Sequence, residues 1–137
     1  MAELGEVAAL PSEEIPDGDS LYLRVHHKNI VNDEATPAAF RAHDGGLSTD
    51  WSRYATPEWT RANAGPHPEK GTPRGPELYG VVVFVVGPVR AVPNVLVKHK
   101  PKIDNRAHTD IEYSEGDKEQ VRVELGRLWE WSIKRED

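Results

Sequence analysis

Leu21, Leu23 and Val25 alternate with Tyr22, Arg24 and His26, the period-two pattern of a strand with one face in a core. The pattern predicts a first strand over 20–27, with Tyr22, Arg24 and His26 sharing its polar face. Residues 78–86, Leu-Tyr-Gly-Val-Val-Val-Phe-Val-Val, are apolar on both faces and predict a central strand covered on both sides, ended by Gly87-Pro88. Two further strands follow. One runs from Asn94 to His99 with Val95 and Val97 inward. The other runs from Thr109 to Tyr113 with Ile111 and Tyr113 inward and Asp110 and Glu112 outward.

Helical signals are short, except near the C-terminus. Thr36-Pro37 and Thr56-Pro57 each place a capping threonine before proline, the residue best suited to a first helical position. They predict a single turn to Arg41 and a short helix from Pro57 to about Asn63, with Leu47–Trp51 as an extended piece between them. A longer helix is expected from about Asp117, where Gln120 stands at capping-box spacing. Its apolar stripe would be Val121, Leu125, Leu128 and Trp129. Gly126 weakens that helix, and the alternation of residues 129–133 leaves a terminal strand as a competing reading. Together these elements predict an α+β fold, a mostly antiparallel sheet of four to six strands with a C-terminal helix and short helical turns. Residues 1–19 read as a weakly ordered lead-in closing on the turn Pro16-Asp17-Gly18-Asp19. A single domain spans 20–137, interrupted by a Pro/Gly-rich loop at 64–77.

Composition narrows the class. A chain of 137 residues with 37% apolar content supports one core of ordinary domain size. It carries no cysteine, which excludes disulfides and thiolate chemistry. No apolar run approaches the length needed to span a bilayer, and the acidic N-terminus lacks the basic segment of a secretory signal. A cytoplasmic protein without membrane association is expected. Its net charge of −6 repels a phosphate backbone, so non-specific nucleic-acid binding is not expected. The local exception is the basic segment Lys98, Lys100, Lys102 and Arg106 with His99, read as a solvated loop or a phosphate site.

Candidate chemistry gathers around Arg24. A guanidinium in mid-strand is partly desolvated and must meet an anion. Asp50, Glu112 or a ligand phosphate would each serve, and the planar fork suits a bidentate contact. Ser48, Thr49 and Asp50 lie beside the Gly45-Gly46 turn, where backbone can approach a ligand. Asn105 and His108 enter a strand from a second polar cluster. The adjacent pair His26-His27 makes a poor metal site, because neighbours on a strand point to opposite faces; no metal site is expected. Trp51, Trp59, Trp129 and Trp131 exceed what a small core uses and mark a possible interface.

The succession Leu21-Tyr22-Leu23-Arg24-Val25, Ala39-Phe40, Leu47-Ser48-Thr49-Asp50-Trp51, Gly80-Val81-Val82 and Asn105-x-Ala107-His108 resembles a group of small uncharacterised bacterial proteins, which implies no particular activity. Arg24, Ser48-Thr49 and the helix after Thr56 also resemble, in their order, RES-domain and ADP-ribosyltransferase-like toxins. That resemblance implies that Arg24 holds the pyrophosphate of NAD, Ser48 buttresses the nicotinamide-ribose pocket and Glu112 stabilises an oxocarbenium-like state. Two readings result. One is a protein-binding or accessory module, in a defence or toxin–antitoxin setting, that binds another protein or itself. The alternative is an NAD- or nucleotide-phosphate-handling enzyme with Arg24, Ser48, Glu112 and His108 as catalytic candidates. In that reading Arg24, Thr49, Asp50 and Asn105 contact the ligand.

Overall fold

The computed structural model of the chain describes residues 10–42, 46–63 and 75–135. The expected lead-in before residue 10 and most of the Pro/Gly-rich loop, residues 64–74, lie outside the described residues.

The fold is α+β. Six strands form an antiparallel sheet in the order β6-β7-β4-β1-β5-β8, and β2 and β3 make a separate hairpin. The strands are β1 (Ser20–His26), β2 (Ile30–Val31), β3 (Glu34–Ala35), β4 (Gly46–Trp51), β5 (Tyr79–Val85), β6 (Leu96–His99), β7 (His108–Glu112) and β8 (Glu130–Ile133). Among the described residues three α-helices join them: α1 (Pro57–Ala62), α2 (Val86–Arg90) and α3 (Lys118–Leu125). Among the described residues no helix is long and apolar enough to cross a membrane.

Strand alternation divides the sheet into two faces. β1 is buried at every second residue and lies between β4 and β5, with Leu21 opposite Phe84, Leu23 opposite Val82 and Val25 opposite Gly80. Those side chains form the core face. Onto it pack Ile15 from the lead-in, Phe40 from the turn Pro37–Phe40, Val86 and Val89 of α2, and Val121 and Leu125 of α3. Phe40 meets Phe84 edge-on at 5.8 Å, and the Tyr113 hydroxyl donates to the Phe40 carbonyl. The opposite face carries the polar residues of β1, β4 and β7, with α1 packed across β1 and β5. Thr56 caps α1, its hydroxyl accepting from the Trp59 N–H at 3.0 Å, as the Thr-Pro signal predicts.

Several expectations change. The lead-in is packed from residue 10: Ile15 is buried, and its carbonyl accepts from Arg90 Nη1 at 2.6 Å. β5 stops at Val85, but Gly87-Pro88 does not end regular structure there. The chain turns directly into α2, because proline in a first helical turn sacrifices no intrahelical bond. α3 begins after Asp117 without a capping box. The Asp117 carboxylate instead accepts from the Ser114 hydroxyl at 2.7 Å. α3 ends at Leu125, so Leu128 and Trp129 lie beyond it, and residues 130–133 take the competing strand form by pairing with β5. The strand form lets Trp131 pack against the core, and Gly126 disfavours continuing the helix.

Close packing at Gly80 makes β8 sensitive to a single methyl group. A Cβ there would lie 2.8 Å from Cζ3 of Trp131 and 3.0 Å from the Ile133 carbonyl oxygen. Gly80→Ala is expected to destabilise the fold by about 1–3 kcal/mol, the usual scale of overpacking. Urea denaturation should show this as a lower midpoint with an unchanged slope; an unchanged midpoint would mean that β8 yields freely.

Candidate functional site

The polar face is organised by one buried carboxylate. Asp50 is only 3% exposed and lies on β4 opposite Tyr22 of β1 and His108 of β7. Its Oδ2 accepts from the Thr60 hydroxyl of α1 at 2.8 Å, and its Oδ1 accepts from the Asn105 amide at 2.9 Å. Arg24 stands beside it with Nη1 3.8 Å from Oδ2, and the same nitrogen donates to the Thr60 carbonyl at 2.9 Å. The Asn105 side-chain Oδ1 then accepts from the Ala107 N–H at 3.0 Å, fixing the turn into β7. Arg24, Asp50 and Asn105 are thus one cluster, and the anion that meets Arg24 belongs to the chain itself.

His108 sits next to this cluster. Its Nε2 is 3.2 Å from Asp110 Oδ1, with both side chains largely covered. Burial, reinforced by the charge of Lys102, holds the imidazole below its ordinary value of 6.5, against the pull of Asp110 and Asp50. At neutral pH the ring is therefore neutral, with Nε2–H donating to Asp110 and Nδ1 carrying the lone pair. Ser48 is exposed on the same face, opposite Asp110.

Glu112, expected to be available for an oxocarbenium-like state, is held by two lysines of the neighbouring strand region. Lys100 bonds to it and Lys98 lies 3.5 Å away. Lys100 is the main reason that the Glu112 carboxyl is lowered from its ordinary value, and Glu112 in turn raises Lys100. The basic segment, expected as a solvated loop or a phosphate site, lies on and beside β6, with Lys98 and Lys100 paired to carboxylates of β7. Arg106 reaches Glu13 at 3.5 Å, and His99 is buried. Glu13 N–H donates to His99 Nδ1 at 2.9 Å, and the Nε2 of that ring lies 2.7 Å from the Arg106 carbonyl oxygen.

Two other candidates fall on the core side. Thr49 is buried and its hydroxyl donates to the Thr109 carbonyl at 2.9 Å, so it faces away from the Asp50 cluster. Trp51 is fully buried, and its indole N–H donates to Asp19 at 2.9 Å; it is a core residue, not an interface one. Trp59 stands 36% exposed on α1. Trp129 and Trp131 are half-buried and meet edge to face at 5.1 Å, with the Trp131 indole donating to the Asp33 carbonyl at 2.8 Å. The His26 and His27 rings lie 4.4 Å apart, closer than strand geometry implies, because β1 ends at His26 and the chain bends. Among the described residues no group of three or more His, Asp or Glu side chains is placed to hold a metal ion.

Sequence reasoning missed Thr60, Asp110 and Glu13. Asp110 was legible in principle, since residues two apart on a strand share a face. Thr60 and Glu13 carry no local signal, because their partners lie far away along the chain. Comparison of the chain with family models, with curated proteins and with solved structures finds no match.

The lowered pKa of His108 gives a pH dependence of known sign. The unfolded chain takes up a proton near pH 6.5, whereas the folded chain resists it to lower pH. Stability from this group is therefore complete above about 6.5 and declines as pH falls toward the folded value. The thermal midpoint of wild type is expected to drop more steeply below pH 6.5 than that of His108→Gln. Parallel curves would show that burial does not oppose the imidazolium.

Proposed function

We propose that the protein is a protein-binding or accessory module, with the bacterial defence or toxin–antitoxin setting resting on the resemblance of its motifs alone. The observation that carries this reading is the internal commitment of Arg24 and Glu112. The Arg24 guanidinium is answered by the Thr60 carbonyl and the Asp50 carboxylate, so the fold accounts for it without a ligand phosphate. Glu112 is engaged by Lys98 and Lys100, away from Asp50. Trp59, with the Trp129–Trp131 pair elsewhere on the fold, supplies partly exposed aromatic surface of the kind enriched at protein interfaces.

The alternative, an NAD- or nucleotide-phosphate-handling enzyme, keeps one supporting observation. A neutral His108 held by Asp110, with Ser48 exposed on the same face, has the protonation state of a general base.

Thermal unfolding separates the two. On the binding reading, millimolar NAD, nucleotides or phosphate leave the wild-type midpoint unchanged. Arg24→Ala then lowers it by an amount corresponding to about 1–3 kcal/mol, the cost of orphaning buried polar partners. A ligand that raises the midpoint of wild type but not that of a folded Arg24→Ala protein binds the native state through Arg24, and the enzyme reading then replaces this one.

A further inference from the structure

Residues 12–15 lie along β6 without forming a strand, and a cleft of ≈ 380 Å³ lies between the two segments beside Val97. Two hydrogen bonds carry the lead-in onto β6, and both end on His99. The Ser12 hydroxyl donates to the His99 carbonyl, and the Glu13 N–H donates to Nδ1 of the ring at 2.9 Å. The far side of the ring is fixed as well, with Nε2 2.7 Å from the Arg106 carbonyl oxygen. A backbone N–H only donates and a carbonyl only accepts. The two contacts therefore require a neutral imidazole, with a lone pair on Nδ1 and a hydrogen on Nε2. A second proton has one place to go, Nδ1, where it would face the Glu13 N–H. That would set donor against donor in a site 3% exposed, and a buried donor without an acceptor is costly.

The groups around the ring offer the added proton no acceptor. The Trp51 and Tyr54 rings pack on it at 5.0 and 6.2 Å, and uncharged Thr109 stands opposite it on β7. Glu13 brings a carboxylate from the lead-in, but that group is engaged. It accepts from the Tyr54 hydroxyl, and the Arg106 and Arg53 guanidiniums lie 3.5 and 3.9 Å away. The Tyr54 bond foremost, with the two arginines, holds the Glu13 carboxyl below its ordinary value, so Glu13 stays ionised where an imidazole titrates. The other charged groups of the cleft are Glu14, Arg90, Lys98 and Lys100. Arg90 is paired with Asp17, and the two lysines with Glu112 and Asp110.

Ile15 is anchored independently, buried in the core with its carbonyl accepting from Arg90. The segment that depends on His99 is therefore residues 10–14, with Ile15 as its pivot. We propose that His99 is an acid-sensitive latch: protonation of Nδ1 breaks its bond to the Glu13 N–H and releases residues 10–14 from β6. Release uncovers the His99 carbonyl and the cluster of Trp51, Tyr54 and His99 rings, so pH controls access to this edge of the sheet. An imidazole in water takes up its proton near pH 6.5. The released state binds that proton and the latched state does not. The ratio of released to latched chains therefore grows by up to tenfold for each pH unit below about 6.5.

The test is amide hydrogen exchange of the full chain between about pH 7.5 and 5, with ring-nitrogen NMR spectra of its histidines. At the upper end His99 is expected to carry its hydrogen on Nε2 alone. Toward the lower end the protection factor of the Glu13 amide is expected to fall by about tenfold per pH unit, relative to the amides of β1 and β5. Referring it to those strands removes any loss of global stability. His99→Asn offers a side-chain carbonyl to the Glu13 N–H and does not titrate, so the folded variant should keep that protection level across the range. Level protection in wild type, an imidazolium that forms while the Glu13 amide stays protected, or an acid-dependent loss that persists in folded His99→Asn would overturn the latch. The two wild-type measurements decide by themselves if the variant does not fold.

Discussion

A carboxylate 3% exposed in the middle of a sheet is a demanding thing to fold around. Removed from water without hydrogen-bond partners, it would cost several kcal/mol. Asp50 avoids this by collecting donors from two segments that the sheet's own ladder does not hold. Thr60 brings α1 down onto the polar face, and Asn105 draws in the turn before β7. Arg24 then finds its place between Asp50 and the Thr60 carbonyl. The position of α1, the entry into β7 and the placement of Arg24 therefore follow from one requirement, the satisfaction of a single buried carboxyl group.

The core face has a counterpart in His99, buried between the Trp51 and Tyr54 rings. One ring nitrogen accepts from the backbone of Glu13 and the other faces the Arg106 carbonyl. Residues 12–15 are thereby pinned alongside β6, and Ile15 reaches the core. The same arrangement leaves the cleft at Val97.

Much of the sheet was legible in the chain. Alternation located β1, β6 and β7 to within a residue or two, and the doubly apolar run located β5. The capping threonine and proline located α1. Period-two parity places Tyr22, Arg24 and His26 on the polar face of β1, and Asp50 is one of the anions that a mid-strand arginine is expected to meet. Long-range satisfaction was not legible. Thr60 lies 36 residues from Arg24 and Asn105 lies 55 from Asp50, and no local pattern reports such pairings. The errors have the same origin. Trp51, an interface candidate by residue type, is buried because Trp51, Thr49 and Leu47 share the inner face of β4, and Glu112, a candidate partner of Arg24, pairs instead with lysines on and beside another strand. Between residues 118 and 133 the helix ends at Leu125 and residues 130–133 pair with β5, the strand alternative that their alternation offers.

The central claim is that Arg24 and Asp50 are coupled within the folded chain and need no ligand to be so. A double-mutant cycle in ligand-free protein measures this directly, comparing Arg24→Ala, Asp50→Ala and the double variant by urea denaturation. Residues sharing one hydrogen-bonded cluster show coupling of roughly 0.5–3 kcal/mol. The account predicts a value in that range, with the double variant less destabilised than the sum of the two single ones. Additive effects, equal within the error of the measurement, would contradict it and return Arg24 to the role of an arginine awaiting an external anion.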